Sequence, residues 1–209
     1  MARVAQNETN LWQSYKRQSI QEAVIRLMCR EGLQSVTMER VAQEVGIAKG
    51  TVYLHYRDKQ ELLESVKVTS LEPLMTKVRE ICRGKAAPDR KLEAFALRYL
   101  SYFDEKRDLF RILLYEREVT RVHGSRYQSD RYRNLLRDVT GVIKEGIDAG
   151  VFREGEPDHI AAMFVEAVIA LVNQRLLTEH PVPVEDDARL VYDIFLGGLR
   201  VRARRRSSK

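Results

Sequence analysis

The sequence predicts an all-α fold, and three observations support this prediction. Long segments repeat apolar residues with the 3.6-residue period of amphipathic helices. No segment sustains the alternation of polar and apolar residues that is typical of a β-strand. Glycine and proline are sparse, with 11 and 5 among 209 residues. We expect about nine helices, arranged as a three-helix unit over residues 1–60 and a larger helical domain over residues 61–209.

Residues 37–59 carry the most informative pattern, two short helices joined by a tight turn. Thr37 is a favourable N-cap for the first helix, and Gly46 supplies the positive φ that ends it. Lys49 to Tyr56 forms the second helix, with Val52 facing inward. A short helix after such a turn has the geometry that places side chains in the major groove of DNA.

The chemistry of this pattern predicts how four residues would meet DNA. The free amide groups of the helix N-terminus beside Thr37 suit a phosphate. Lys49 is the best-placed long donor for base edges or phosphate. Gly50 lets the backbone approach the groove, and Thr51 offers a hydroxyl donor or a methyl group for thymine.

The same stretch resembles the N-terminal signature of the TetR family of bacterial repressors. The resemblance is carried by Thr37, Val41-Ala42, Val45-Gly46-Ile47, Lys49-Gly50-Thr51-Val52-Tyr53, His55-Tyr56, Asp58-Lys59 and Glu61-Leu62. It extends back through Ile20 to Gly32 and covers roughly the first third of the chain. Any helical hairpin needs a glycine turn and an apolar face, but it does not need this density of matches.

The resemblance implies roles for further residues. Tyr53, His55 and Lys59 would contact phosphates, whereas Tyr56 would fill the small core. Ala48 departs from the family pattern because many members have serine or threonine there. Its methyl group can provide neither an N-cap hydroxyl nor the phosphate contact that this hydroxyl could make.

The resemblance also implies a cytoplasmic, homodimeric transcriptional regulator. It would be a repressor that binds a palindromic operator in double-stranded DNA and is released by a small lipophilic effector. One alternative is a constitutive DNA-binding protein with a filled core and no effector. Another is a small-molecule-binding enzyme with a vestigial DNA domain. The sequence has no recognisable catalytic set, metal-ligand spacing or cofactor fingerprint, so we predict no enzyme activity, no metal site and no cofactor.

The N-terminal segment precedes this motif. Residues 1–15 are polar, and we expect them to be mobile, either as an arm that reaches DNA or as a frayed terminus. The first helix is predicted from about Tyr15 to Arg30, with Trp12 packed on it.

A long helix is predicted from Asp58 to Arg83. Glu61 stands three residues after Asp58, as in a capping box. Pro73 should remove one backbone hydrogen bond. The helix would therefore either kink near Thr69 or be split into two helices.

Further helices are predicted along the rest of the chain. They start at Asp89 and continue as Leu109–Glu118, Tyr132–Ile147 capped by Gly150, Ile160–Leu177 and Asp186–Ala203, with loops at Arg83–Pro88 and at residues 120–130. The last two helices are apolar, and Gly197 and Gly198 permit close helix approach. We expect these helices to form a four-helix dimer interface, although a monomeric core could use the same residues.

An effector pocket is implied among the middle helices. Its candidate residues are Phe95, Tyr99, Phe103, Phe110, Leu113, Tyr132, Leu136, Phe164 and Glu166, although a tightly packed core would use the same apolar side chains. Glu166 is a lone carboxylate on an apolar helix and needs a partner. Arg117, Arg98, Arg175 or a polar group of the ligand could provide it.

Charge and localisation give weaker information. The net charge of +6 is matched by the six Lys and Arg residues of the tail at Arg200–Lys209, a segment that is usually a solvated charge run. We expect no membrane association, because Ile160–Val172 is interrupted by Glu166 and too short to span a bilayer. Cys29 and Cys82 lack metal-ligand spacing and are expected to be reduced thiols in the cytoplasm.

Overall fold

A computed structural model describes residues 2–120, 130–179 and 181–200 of the chain. Within these ranges the all-α prediction is confirmed, with nine α-helices and a single isolated β-bridge. The helices are α1 (Ala2–Glu31), α2 (Met38–Val45), α3 (Lys49–His55), α4 (Lys59–Arg83), α5 (Pro88–Glu105), α6 (Arg107–Thr120), α7 (Asp130–Asp148), α8 (Pro157–Leu177) and α9 (Val184–Leu199). A short 3-10 helix, Leu33–Ser35, lies between α1 and α2. The loop predicted at residues 120–130 falls almost entirely outside the described residues.

The chain forms two compact units. The N-terminal unit comprises Met1–Glu72 and Asp108–Arg121, and the C-terminal unit comprises Pro73–Arg107 and Val122–Lys209. The chain passes between the units at three points, and the first of these lies within α4, at Pro73. The functional boundary that we place at residue 60 stays a prediction.

Helix α1 begins much earlier than predicted. It starts at Ala2 and runs for 30 residues, so the predicted start near Tyr15 is wrong. The physical reason is that residues 2–31 contain neither glycine nor proline, and polar helix formers continue the helix without an apolar stripe. Trp12 belongs to this helix and is 58% exposed, stacked on Tyr15 with 6.1 Å between ring centroids.

Helix α4 is continuous through Pro73. The alternative in which proline divides the segment into two helices is therefore wrong. The predicted capping box at its start is present in a shifted form. Asp58 accepts a hydrogen bond from the backbone N–H of Glu61 at 2.8 Å, and Glu61 accepts from the backbone N–H of Arg57, also at 2.8 Å.

The C-terminal unit packs around α5 and α8. Helix α5 contacts α7, α8 and α9, and α8 contacts α7 and α9 as well. At 21 residues α8 is longer than the apolar stretch noted in the sequence, and by length and composition alone it could cross a membrane. The argument that it is too short is therefore wrong. Its fully buried Phe164, Val165 and Val168 are equally typical of a core helix in a water-soluble protein.

Helix α9 ends at Leu199, before the predicted end at Ala203. Arg200 has extended backbone angles and forms an antiparallel bridge with Phe152. The N–H of Arg153 donates to the carbonyl of Leu199 at 2.8 Å. The helix ends here because the bridge holds Arg200 in an extended conformation.

Two buried cations join helices of the C-terminal unit. The guanidinium of Arg175 donates to Asp187 at 2.6 Å, to Asp104 at 3.0 Å and to the carbonyl of Val182 at 2.8 Å. Lys91 is 3% exposed and pairs with Glu145 at 2.6 Å. These contacts connect α5 with α7, α8 and α9, because a buried cation must have anionic partners.

Candidate nucleic-acid interface

Helix α2 has the predicted caps at its two ends. The hydroxyl of Thr37 accepts a hydrogen bond from the backbone N–H of Arg40 at 3.2 Å. Gly46 has φ of 77°, in the left-handed region that glycine adopts without strain. Its N–H closes α2 by donating to the carbonyl of Ala42 at 2.9 Å. The predicted capping roles of Thr37 and Gly46 are confirmed, and the DNA contact of Thr37 stays a prediction.

Helix α3 buries one side and exposes the other. Val52 is fully buried, whereas Lys49, Gly50, Tyr53 and Leu54 are exposed. Of the other predicted contacts on this helix, Thr51 and His55 are half-buried. The structure thus brings five of the predicted residues together on one short helix.

Leu54 is a candidate contact that the sequence analysis missed. Its side chain is 84% exposed on the outer side of α3, next to Tyr53. An exposed leucine on such a helix is suited to apolar contact with a thymine methyl group. The spacing from Val52 predicts this exposure, because a residue two positions from a buried one lies on nearly the opposite side of a helix.

Lys49 is already paired with an acidic side chain of the preceding helix. Its ammonium forms an ion pair with Glu39 on α2, and both side chains are half exposed. The ammonium also lies 5.6 Å from the ring centroid of Tyr53. The hydrogen bond from Lys49 lowers the pKa of the Glu39 carboxyl and raises the pKa of Lys49, so both groups are charged at neutral pH.

Lys59 has a structural contact besides its predicted role. Its ammonium donates to the carbonyl of Leu33 at 3.1 Å and ties the start of α4 to the 3-10 helix. An ammonium has three donors, so two remain for a phosphate. The contact of Lys59 with DNA stays a prediction.

Tyr56 is a core residue, as predicted. It is 2% exposed, and within the described part of the chain its hydroxyl has no hydrogen-bond partner. The guanidinium of Arg17 lies 5.3 Å from its ring centroid and donates to the carbonyl of His55 at 3.2 Å. Arg17 therefore connects α1 to the carboxyl end of α3, a contact between distant segments that the sequence analysis did not anticipate.

His55 lies in a positive environment at the end of α3. Burial lowers the pKa of its imidazole, and the charges of Arg17 and Lys16 lower this pKa further. The ring is therefore neutral at pH 7, with one N–H available as a donor.

Ala48 is the N-cap of α3 and makes no side-chain capping hydrogen bond. Its backbone is extended, with φ of −65° and ψ of 142°, which is the conformation a serine cap would adopt. The departure noted in the sequence therefore leaves an amide at the start of α3 without a capping hydroxyl.

Seven of the nine candidate effector residues belong to the C-terminal unit, and Phe110 and Leu113 belong to the N-terminal unit. In the C-terminal unit, Phe95 lies 5.5 Å from Tyr99 and 5.4 Å from Phe164, measured between ring centroids. Tyr99 lies 5.3 Å from Phe103. Phe195 of α9, which was not predicted, extends this cluster with a centroid 5.1 Å from that of Phe164.

Glu166 accepts a hydrogen bond from the hydroxyl of Tyr132 at 2.6 Å. Two of its predicted cationic partners are engaged with other carboxylates, because Arg175 pairs with Asp104 and Asp187 while Arg98 pairs with Glu105. The side chain of Arg117 lies outside the described residues. The hydrogen bond places two predicted residues, one from α7 and one from α8, side by side; Leu136 follows one turn further along α7.

Across the described ranges, no group of three or more His, Cys, Asp or Glu side chains is arranged to hold a metal ion. Cys29 is exposed and Cys82 is buried, and neither forms a disulfide.

Family sequence profiles match both units of the chain. The profile of bacterial regulatory proteins of the tetR family matches residues 20–66, and that of the tetracyclin repressor-like C-terminal domain matches residues 85–173. The chain belongs to the TetR family. It is a transcriptional regulator with a DNA-binding helix-turn-helix and a ligand-binding C-terminal domain.

A sequence relative and two solved structures match most of the chain. A fatty acid metabolism regulator protein of Bacillus subtilis is 21% identical over 154 residues, which cover 74% of this chain and 79% of the relative. A TetR transcription regulator from Haloarcula marismortui matches with a TM-score of 0.74 and 20% identity over 90% of this chain and all of that structure. The regulator FadR from Bacillus subtilis, solved with stearoyl-CoA, matches with a TM-score of 0.70 and 19% identity over 87% of this chain and 98% of that structure.

Proposed function

We propose that this TetR-family regulator is a cytoplasmic repressor that binds a palindromic operator as a homodimer and is released by a small lipophilic effector. The observation that carries the proposal is the exposed side of α3, where Lys49, Tyr53 and Leu54 stand on a helix whose other side is anchored by Val52. A short, rigidly held helix with long donors and an apolar side chain is suited to the major groove.

The predicted DNA contacts divide into two chemical classes. Lys49, Gly50 and Thr51 lie at the start of α3, where side chains reach base edges and where the ammonium of Lys49 can also reach a phosphate. The remaining contacts, Thr37, Tyr53, His55 and Lys59, would hold phosphates and fix the position of the helix without sequence preference.

A dimer is supported by the apolar surface of α8 and α9. Met163 is 67% exposed and Ile194 is 70% exposed, and Leu177 and Leu190 are each about half exposed. Gly197 and Gly198 face open space, since an added Cβ at either would meet no atom within 4 Å. These helices would pair with those of a second copy, and the resulting twofold axis would match a palindromic operator.

The effector class is inferred from chemistry and from relatives. The FadR structure was solved with stearoyl-CoA, and the Bacillus subtilis sequence relative is named for fatty acid metabolism. In this chain an aromatic cluster around Phe95 includes Phe164 of α8, and Glu166, two residues further along α8, accepts a hydrogen bond from Tyr132. An apolar lining with few polar groups suits a long acyl chain with one polar end. We therefore propose an acyl compound as effector.

Release would follow from a change in the relation of the two recognition helices. Each α3 must enter a half-site, and the half-sites are separated by about one helical turn or a multiple of it. An effector that binds better to a conformation with another spacing shifts the population away from DNA.

The experiment for DNA binding compares Lys49→Ala and Tyr53→Ala with a matched control. The operator is first selected from a random duplex pool, and affinity is then measured by fluorescence anisotropy at several salt concentrations. Lys49→Ala should weaken binding about tenfold or more and reduce the salt slope by about one phosphate contact. Lys67→Ala removes the same charge from α4, where Lys67 pairs with Glu64, and should change neither quantity. Unchanged binding in both α3 variants would contradict the proposal.

Native mass spectrometry of the purified protein tests assembly and effector together. A dimer with the additional mass of an acyl compound, and loss of the dimer in Ile194→Glu, are the expected results. A monomer would contradict the homodimer. A bare dimer whose melting temperature responds to neither stearoyl-CoA nor stearate would instead favour a constitutive DNA-binding protein.

A further inference from the structure

Helix α1 carries an exposed aromatic pair beyond the segment that matches the family. The family profile begins at residue 20, so 18 residues of α1, about 27 Å of helix, precede it. In this part Trp12 is 58% exposed and Tyr15 is 63% exposed. Their rings are stacked, with 16° between the planes. Two large aromatic rings that are exposed to solvent side by side are typical of an interaction surface.

Cationic side chains lie on and beside the same face. The ammonium of Lys16 is 5.2 Å from the ring centroid of Trp12, one helical turn away. Trp12, Tyr15 and Lys16 therefore share one side of α1, at spacings of three and four residues. Arg17 follows directly and is exposed.

This face adjoins the carboxyl end of the recognition helix. Arg17 donates to the carbonyl of His55, the last residue of α3, at 3.2 Å. Burial lowers the pKa of His55, and the positive charges of Arg17 and Lys16 lower it further. Arg57, two residues after His55, has an 84% exposed side chain and pairs with Asp58 at 3.2 Å. Lys16 and Arg17 thus place positive charge between the aromatic pair and the end of α3.

We propose that Trp12, Tyr15 and Lys16 form a second DNA-contacting surface, which binds phosphates of the duplex just outside the operator half-site. The inference rests on the proposed DNA binding by α3 and extends it. Each of the three side chains ends in a donor: an indole N–H, a phenolic O–H and an ammonium. Such donors bind phosphate oxygens and carry no sequence information, so they lengthen the contacted DNA without lengthening the recognised sequence.

The single tryptophan of the chain makes the surface directly observable. Two duplexes are prepared from the sequence selected out of a random pool. The short duplex ends at the last selected base pair, and the long one adds about 10 base pairs of arbitrary sequence, one helical turn, on each side. Tryptophan emission is recorded while the protein is titrated with each duplex. The long duplex should bind about 3- to 10-fold more tightly and should change the emission of Trp12, whereas the short duplex should leave it unchanged.

Variants separate this surface from α3. Tyr15→Ala and Lys16→Ala should weaken binding of the long duplex about 3- to 10-fold and leave binding of the short duplex unchanged. Gln13→Ala, an exposed substitution in the same helical turn, serves as the matched control and should affect neither duplex. Circular dichroism verifies that each variant retains its helices.

Each outcome distinguishes this inference from the proposed function. If neither duplex binds, DNA binding by α3 fails as well. If both duplexes bind with equal affinity and Trp12 emission does not change, only the second surface is overturned. An emission change that follows protein concentration without DNA would assign the surface to a second copy of the chain and would also overturn the proposal.

Discussion

Lys49 of α3 and Glu39 of α2 form an ion pair on the surface of the helix-turn-helix. In the free protein, the positive charge of Lys49, which we propose to contact DNA, is therefore offset by the carboxylate of Glu39. The carboxylate of Glu39 also lies close to where a phosphate would approach the start of α2. Glu39 therefore opposes DNA binding in two ways, by pairing with Lys49 and by repelling this phosphate.

Glu39→Gln should strengthen DNA binding about 3- to 10-fold and steepen its salt dependence by about one phosphate contact. The substitution releases the ammonium of Lys49 and removes a negative charge from the interface. Affinity for the selected operator and for an unrelated duplex is measured at several salt concentrations, and both should increase.

Glu22→Gln is the matched control for Glu39→Gln. Glu22 is exposed on α1 of the same unit and accepts a hydrogen bond from Gln18 at 2.9 Å. Equal gains in both variants would attribute the effect to net charge alone. A loss of operator affinity in Glu39→Gln would instead indicate that Glu39 accepts a hydrogen bond from a cytosine.

Ala48→Ser should stabilise the protein and strengthen DNA binding. A serine hydroxyl at this N-cap can accept a hydrogen bond from a free amide of α3, which contributes about 1 kcal/mol to the free energy of unfolding. The same hydroxyl stands where a phosphate would approach the helix. Urea unfolding and operator affinity measure the two effects.

Ala87→Ser provides a control of the same chemistry at another helix. Ala87 is the N-cap of α5, with φ of −60° and ψ of 147° and no side-chain capping bond. This variant should gain similar stability without any change in DNA binding. A similar gain in affinity would contradict a local role for residue 48.

Features that depend on local chemistry could be predicted from the sequence. The cap at Thr37, the left-handed turn at Gly46 and the capping box at Asp58 each involve residues within four positions of one another. The buried side of α3 followed from the spacing around Val52. These signals were sufficient to locate the helix-turn-helix.

Features that depend on tertiary contacts could not be predicted. The pairing of Glu39 with Lys49 requires the crossing of two helices, and the contact of Arg17 with His55 joins residues 38 positions apart. For Glu166, the sequence indicated the need for a partner but not that Tyr132 would provide one. The early start of α1 was missed because polarity was taken as a sign of mobility, although polar residues without glycine or proline sustain a helix.

Gly146→Ala should destabilise the C-terminal unit by about 1–3 kcal/mol. Gly146 lies inside α7, and a Cβ placed there would stand 2.0 Å from the ring of Phe152, which is 2% exposed. The ring would have to leave its site and disturb the turn between α7 and α8. Gly141 lies in the same helix with no atom within 4 Å of an added Cβ. Gly141→Ala should therefore raise the free energy of unfolding by about 0.5–1 kcal/mol. Urea unfolding measures both variants. Equal free energies of unfolding for Gly146→Ala and Gly141→Ala would contradict the packing argument.

The folded protein should lose stability as the pH rises above 9, because the thiol of Cys82 is buried. Burial and, to a smaller extent, the nearby carboxylate of Asp138 together raise the pKa of its thiol from 9.0 to about 12. Between these values the unfolded thiol loses its proton while the folded thiol keeps it, so the folded state binds more protons. The free energy of unfolding should therefore decrease by up to about 1.4 kcal/mol per pH unit over this range.

Urea unfolding between pH 8 and 10.5 in a reducing buffer measures this dependence. The free energy of unfolding of Cys82→Ala should fall less steeply with pH than that of the parent. Cys29→Ala, at the exposed cysteine, should retain most of the slope. Parallel curves for the parent and Cys82→Ala would show that other groups cause the alkaline loss of stability.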